Sequence, residues 1–183
     1  MKNKYKDLSI NTLIFTISSF GSKFISFFLV PLYTAVLTTS EYGSVDLMTT
    51  TAQLLIPVLT LNIQDAVLRF TLDKNYNKED VLTVASRTIF VSSCLLLCVL
   101  VLTNRGGLIN LSGNYVAFLF CSYLMGTINN SLSMYLRSTG KMKVIGVCGV
   151  INTFITCLAN IFLLLVVKIG VNGYMIAYMS GAF

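Results

Sequence analysis

The sequence has no histidine and no tryptophan, and only 11% of its 183 residues are charged. A soluble domain carries about 25% charged residues, so this chain has too little polar surface to stay folded in water. Without histidine, and with seven acidic residues in all, the chain shows no pattern typical of general acid–base catalysis or of a divalent-metal site. No glycine-rich phosphate loop precedes a helix. We predict that the protein is not an enzyme and that it uses no cofactor or metal.

Hydrophobic residues make up 55% of the chain, and its mean hydropathy is +0.79. Several apolar runs approach the roughly 20 residues that a helix needs to cross a bilayer. We predict an all-α, polytopic transmembrane helical bundle of about six membrane helices. Five complete spans are predicted, at residues 9–36, 44–70, 82–103, 114–136 and 144–167. A sixth begins at 171 and is truncated at Phe183. We therefore expect the chain to be a fragment of a longer protein.

The five cysteines all lie inside these apolar segments. No histidine and no nearby carboxylate accompanies them, so they do not form a typical metal site. We interpret them as small core or lipid-facing residues. The positions concerned are Cys94, Cys98, Cys121, Cys148 and Cys157.

The net charge of +6 reflects membrane topology rather than a nucleic-acid partner. Cytoplasmic loops are enriched in lysine and arginine, and here ten basic residues lie on one side of the predicted membrane and two on the other. The basic side comprises the N-terminus with Lys2, Lys4 and Lys6, the connection between the second and third spans with Arg69, Lys74, Lys78 and Arg87 in or beside it, and the connection at 137–143 with Arg137, Lys141 and Lys143. We predict a multi-pass protein of the inner (plasma) membrane with a cytoplasmic N-terminus, in contact with membrane lipids.

The first hydrophobic hairpin, residues 8–70, carries a polar stripe on each of its helices. Steps of three and four place such residues on one helix face. A polar stripe cannot face lipid cheaply, so it must face protein or a water-filled cavity. In the first helix the stripe is Thr12, Thr16, Ser19, Lys23 and Ser26; in the second it is Asp46, Thr50, Gln53, Pro57, Thr60 and Gln64.

Lys23 is the most informative residue of the hairpin. A lysine at mid-depth costs about 3 kcal/mol by insertion scales. One interpretation is a cavity-facing lysine that binds an anionic head group, with Ser19, Ser26, Thr16, Gln53 and Gln64 lining the same cavity; the other is a lysine that snorkels to the cytoplasmic interface. Pro31 and Pro57 are predicted to kink their helices.

Three further polar groupings have structural as well as functional interpretations. Asp65 and Arg69 stand one turn apart and can pair, either to anchor the interface or to take part in substrate access or gating. Hydrogen bonds between helices are one interpretation of the remaining stripes; the other is that a bundle in which four of five spans have a polar face surrounds a hydrated path. These stripes comprise Ser122, Gly126, Asn129 or Asn130, Ser133 and Arg137 in the fourth span, and Gly149, Asn152 or Thr153, Thr156 and Asn160 in the fifth. Glu41-Tyr42-Gly43 is predicted to close the turn between the first two spans.

Four short motifs, in order along the whole chain, resemble the polysaccharide flippases of the multidrug/oligosaccharidyl-lipid/polysaccharide exporter superfamily. They are Ser22-Lys23-Phe24 with Val30-Pro31-Leu32-Tyr33, Leu37 and Glu41-Tyr42-Gly43; Ala66-Val67-Leu68-Arg69-Phe70; Tyr135-Leu136-Arg137-Ser138-Thr139-Gly140-Lys141; and Gly170-Val171-Asn172-Gly173. The resemblance implies that residues 1–183 form the N-terminal lobe of a two-lobe, V-shaped transporter whose second lobe is absent.

The resemblance also implies a function. Such proteins move polyprenyl-pyrophosphate-linked oligosaccharides across the cytoplasmic membrane for surface polysaccharide biosynthesis, by alternating access. Lys23 and Arg69 match basic positions of the family, and the expected partners are the lipid-linked oligosaccharide and other polysaccharide-assembly proteins. The alternatives are a multidrug exporter of the same superfamily, which predicts a deep acidic residue, a membrane-embedded glycan-assembly enzyme, and a purely structural multi-pass subunit.

Overall fold

The computed structural model describes residues 27–73, 75–106 and 112–181, together with residues 16, 20, 21, 23 and 24. This part of the chain is all-α and contains no β-strand, so the predicted fold class is confirmed at that level. The helices are α1 (Phe27–Val36), α2 (Thr39–Leu59), α3 (Ile63–Leu72), α4 (Lys78–Arg105), α5 (Gly113–Ser138), α6 (Met142–Ile161), continued by a π-helical turn (Phe162–Val166), and α7 (Val171–Ser180). The five isolated described residues before Phe27 are also helical.

Two helices of the described part are long and apolar enough to cross a membrane: Lys78–Arg105 and Met142–Val166. The bent pair α2 and α3 makes a third if it counts as one span. The predicted spans 82–103 and 144–167 correspond to the first two. Helix α5 coincides with the predicted span 114–136 but is not among these apolar helices. It packs against α2, α3, α4, α6 and α7, and a helix surrounded by protein need not be apolar on every face.

The predicted span 44–70 is two helices rather than one. Their axes differ by 54°, and between them Leu61 and Asn62 adopt left-handed φ angles of 49° and 55°. Pro57 has no N–H to donate to the Gln53 carbonyl, which weakens the last turn of α2. The Asn62 N–H then donates to the Pro57 carbonyl at 3.1 Å, one residue beyond the usual helical acceptor. The bend therefore lies at 60–62, just after the proline.

Helix α2 begins earlier than the sequence suggested. Thr38 and Glu41 form a reciprocal capping box, in which the Glu41 N–H donates to Thr38 Oγ1 at 3.3 Å and the Thr38 N–H donates to Glu41 Oε2 at 2.9 Å. This pair satisfies two of the backbone donors that a helix start leaves free. The prediction that Glu41-Tyr42-Gly43 closes a turn was wrong: these residues form the first turn of α2, and Gly43 has no positive φ.

The buried core has two parts, and α5 contributes to both. One part joins α2, α4 and α5 through Ala52, Ile56, Leu96, Leu119 and Tyr123. The other joins α1, α2, α5, the π-helical turn and α7 at the end of the bundle where α1 leads into α2. At that same end the Asn114 amide donates to Asn172 Oδ1 at 3.4 Å. The N-terminal ends of α5 and α7 are thereby linked beside the turn between α1 and α2.

Candidate functional site

The polar stripe of α2 divides into an uncovered and a buried part. Asp46, Thr50, Gln53 and Pro57 are exposed, and we call these four residues the polar face of α2. The adjacent face, Val45, Thr49, Ala52 and Ile56, is buried within the bundle. Beyond the polar face, Thr60 and Gln64 are buried at the bend. The structure therefore leaves Gln53 uncovered but places Gln64 inside the protein.

Lys23 is helical and exposed, as is Thr16. Thr16, Lys23 and Val30 are spaced seven residues apart, the interval that places residues on nearly the same face of a helix. Phe20, Phe24, Phe27 and Phe28 are also exposed, and the rings of Phe24 and Phe28 lie 5.0 Å apart, edge to face. Ser19 and Ser26, the other predicted members of this stripe, lie outside the described residues. Pro31 lies inside α1, and its kink stays a prediction.

A cavity of about 430 Å³ opens between α1, α2, α6 and α7. We call it the tyrosine cavity, because four tyrosines line it: Tyr33, Tyr42, Tyr174 and Tyr178. Asn152, Thr153 and Thr156 of α6 form another wall, and Leu29, Val30 and Gly181 complete the lining. The cavity extends from the turn between α1 and α2 to the middle of α6.

Three of the tyrosine rings form a compact cluster. The ring centroids of Tyr33 and Tyr174 are 4.5 Å apart, and those of Tyr33 and Tyr42 are 5.9 Å apart. Tyr33 is 7% exposed and Tyr174 is 9% exposed, so little of either side chain is accessible to solvent or lipid. Neither hydroxyl forms a hydrogen bond with another described residue. Both hydroxyls are therefore available to donate or accept a hydrogen bond.

The wall from α6 is polar but uncharged. Thr156 Oγ1 donates to the Asn152 carbonyl at 2.8 Å, and Thr153 Oγ1 donates to the Gly149 carbonyl at 2.8 Å. Both hydroxyl oxygens keep lone pairs that can accept hydrogen bonds. Among the residues that the structure describes, no lysine, arginine, aspartate or glutamate lines the cavity. The described lining can therefore exchange hydrogen bonds with a neutral polar ligand.

The two helix faces of the hairpin converge on this cavity. Val30, which lies seven residues after Lys23, is one of its lining residues. Tyr42 lies four residues before Asp46 and therefore on the polar face of α2. Along the first helix, Lys23 is about 10 Å from Val30, at 1.5 Å per residue. Helical spacing therefore continues the polar side of α2 from Gln53 through Asp46 to Tyr42, which lines the tyrosine cavity.

Asp65 and Arg69 form no ion pair with each other, although the structure describes both. The Asn62 amide donates to the Asp65 carboxylate at the start of α3. The Arg69 guanidinium lies over the ring of Phe70, with its carbon 6.0 Å from the ring centroid. Both side chains are exposed. Their role in anchoring or gating stays a prediction.

Sequence reasoning missed the tyrosine cavity. It singled out Asn152, Thr153 and Thr156, but it interpreted them as contacts between helices. Tyr174 and Tyr178 stand one helical turn apart, which is a weak signal in itself. Nothing in the sequence indicates that α7 packs beside the turn between α1 and α2, and that contact creates the cavity.

Comparison of the chain with protein-family models, with curated proteins and with solved structures found no match. The resemblance to polysaccharide flippases accordingly stays a prediction from the motifs.

Proposed function

We propose that the protein translocates polyprenyl-pyrophosphate-linked oligosaccharide across the cytoplasmic membrane, as a polysaccharide flippase of the multidrug/oligosaccharidyl-lipid/polysaccharide exporter superfamily. In this proposal residues 1–183 form the N-terminal lobe, with six spans and a cytoplasmic N-terminus. A second lobe faces the polar side of the hairpin. The protein performs no chemical reaction on its cargo.

The uncovered polar face of α2 is the observation that carries the proposal. A membrane helix that presents Asp46, Thr50 and Gln53 to lipid would lose the hydrogen bonds that these groups form in water. Exposure of Lys23 to lipid would also be unfavourable, because a lysine near the bilayer centre costs about 3 kcal/mol of free energy. A hydrated path between two lobes removes both costs. Such a path is what translocation of a polar head group requires.

The residues of the path suit the parts of the cargo. A pyrophosphate in a low-dielectric cavity needs a cationic partner, and Lys23 supplies one. The oligosaccharide needs neutral donors and acceptors, which Thr50 and Gln53 provide. The polyprenyl chain remains in lipid, beside the exposed phenylalanines of the first helix. Rocking of one lobe against the other is the common mechanism in transporters built from repeats.

Asp46 favours a second candidate, a multidrug exporter of the same superfamily. It is the acidic member of the polar face and lies about 10 Å along α2 from Thr39, at 1.5 Å per residue. An exposed carboxylate within a membrane path can bind a cationic substrate or a coupling proton. Under this alternative, Asp46→Asn would abolish export of cationic compounds, while Lys23→Ala would leave it unchanged.

Deletion of the full-length gene tests the first candidate. The distribution of lipid-linked oligosaccharide between the two membrane leaflets is then measured, and the strain is complemented with Lys23→Ala, Lys23→Arg or the control Lys143→Ala, which removes an exposed lysine at the start of α6. We expect accumulation in the cytoplasmic leaflet, with rescue by Lys23→Arg and Lys143→Ala but not by Lys23→Ala. An unchanged distribution after deletion contradicts the proposal. Full rescue by Lys23→Ala retains the flippase and contradicts the role of Lys23.

A further inference from the structure

We infer that the tyrosine cavity is a binding site for an uncharged sugar ring. The inference rests on the proposed function, because it takes the ring to be part of the cargo's oligosaccharide. It goes further by assigning recognition of the sugar to residues of α1, α6 and α7, separate from the lysine that would meet the pyrophosphate.

The hydroxyls of Tyr33 and Tyr174 provide the first argument. Both side chains are more than nine-tenths buried, yet neither hydroxyl has a hydrogen-bond partner among the described residues. A phenol hydroxyl without a protein partner can both donate a hydrogen bond to a ligand and accept one from it. Both tyrosines line the cavity, so a molecule inside it is within reach of their side chains.

The second argument is the chemistry of the opposite wall. The Asn152 side-chain amide forms no hydrogen bond with another described residue, and it offers two donors and an acceptor. The hydroxyl oxygen of Thr156 still accepts while it donates to the Asn152 carbonyl. A sugar ring carries several hydroxyls, each of which both donates and accepts. Phenol, amide and hydroxyl groups on two walls therefore match a sugar better than an apolar ligand.

The described part of the lining contains no charged side chain, which argues against an anionic ligand. A pyrophosphate would be desolvated there without a cationic partner. A quaternary ammonium ion is bound by rings that surround it, but the Tyr33 and Tyr174 centroids are only 4.5 Å apart and the Tyr42 and Tyr174 centroids only 6.1 Å apart. These rings pack on one another and leave no space for a cation between their faces.

A membrane-interface belt does not explain the cluster either. Belt tyrosines project to the lipid head groups, whereas Tyr33 and Tyr174 are buried. The cavity volume of about 430 Å³ also lies within the range of small-ligand sites, about 300–1,000 Å³. Leu29 and Val30 give it an apolar side, as is usual in pockets where a few polar groups set specificity.

The chain itself supplies the reporter for a binding experiment. It has nine tyrosines and no tryptophan, so its intrinsic fluorescence comes from tyrosine, and four of the nine line the cavity. The full chain is purified in a detergent without a sugar head group and titrated to about 50 mM, because single-ring ligands bind in the millimolar range. The probes are glucose, galactose and N-acetylglucosamine, with inorganic pyrophosphate and tetramethylammonium as charged comparisons.

We expect a saturable fluorescence change with at least one of the sugars and none with either ion. Tyr33→Phe and Tyr174→Phe each remove one hydroxyl and keep the ring, so each should raise the sugar Kd about three- to tenfold. Tyr76→Phe makes the same chemical change at an exposed site far from the cavity lining and should leave the Kd unchanged. Circular dichroism and the thermal midpoint of each variant show whether it is folded.

Three results would overturn the inference: no saturable response to any of the sugars, tighter binding of pyrophosphate or tetramethylammonium than of sugar, or sugar binding that neither phenylalanine variant weakens. The binding assay does not depend on translocation. Sugar binding that requires Tyr33, in a protein whose deletion leaves the lipid distribution unchanged, would refute the flippase and retain the site. If no sugar binds, but deletion of the gene does shift the lipid distribution, the site is refuted and the flippase is retained.

Discussion

Substitution of Gly126 tests the packing of α2 against α5. A Cβ atom built on Gly126 would lie 2.9 Å from Ile56 Cδ1, the tip of a buried side chain of α2. The atom can be removed by Ile56→Val, which makes room for the added methyl group. Gly149 offers a matched control in α6, because a Cβ there meets no atom within 4 Å. The prediction is that Gly126→Ala and Ile56→Val compensate each other.

The expected magnitudes follow from two opposing effects. Alanine is preferred to glycine inside a helix by about 1 kcal/mol, so Gly149→Ala should raise the free energy of unfolding by about that amount. At Gly126 the same gain is opposed by overpacking, which costs about 1–3 kcal/mol. Ile56→Val alone should cost about 0.5–1.5 kcal/mol. In the Ile56→Val background the overpacking is relieved. Gly126→Ala should therefore raise the free energy of unfolding there by about as much as Gly149→Ala does.

Reversible urea unfolding in mixed micelles, followed by circular dichroism, measures the four free energies of this double-mutant cycle. We expect a coupling energy of about 1–3 kcal/mol in favour of the double variant. A coupling energy near zero, with Gly126→Ala as stable as Gly149→Ala, would refute the close approach of α2 to α5.

Two further predictions concern the ends of α2 and use the same unfolding assay. Thr38→Ala removes the capping box and should lower the free energy of unfolding by about 1 kcal/mol. Ser112→Ala should have little effect, because the Ser112 side chain forms no cap hydrogen bond at the start of α5. Equal losses of stability in the two variants would contradict the capping box at Thr38. Leu61 holds a left-handed φ of 49° at the bend, so Leu61→Gly should raise the unfolding free energy by about 1 kcal/mol, and a loss of stability would argue against that backbone conformation.

The positions of the later helices could be predicted from the sequence because they are set by local apolar runs. The predicted 82–103 and 114–136 lie within Lys78–Arg105 and Gly113–Ser138. The structure extends these helices at both ends, since polar and charged residues such as Lys78 and Arg105 remain helical beyond an apolar run.

The bend after Leu59 and the tyrosine cavity could be predicted only in part. Pro57 signalled a disturbance, but which residues absorb it depends on the backbone of Leu61 and Asn62. The cavity requires Tyr33 of α1 and Tyr174 of α7 to meet, at a separation of 141 positions in the sequence. Such a contact is determined by how the helices pack and leaves no periodic signal in either one.

The central claim is that the polar face of α2 lines a hydrated path rather than facing lipid. Gln53 and Leu54 are adjacent and both exposed in the described structure, but their side chains diverge by about 100° around the helix. In full-length protein whose native cysteines are replaced, Gln53→Cys and Leu54→Cys are each treated in the membrane with a small water-soluble maleimide. The account predicts rapid labelling of the Gln53→Cys variant and little labelling of the Leu54→Cys variant. Equal labelling of the two, or no labelling of the Gln53→Cys variant, would contradict it.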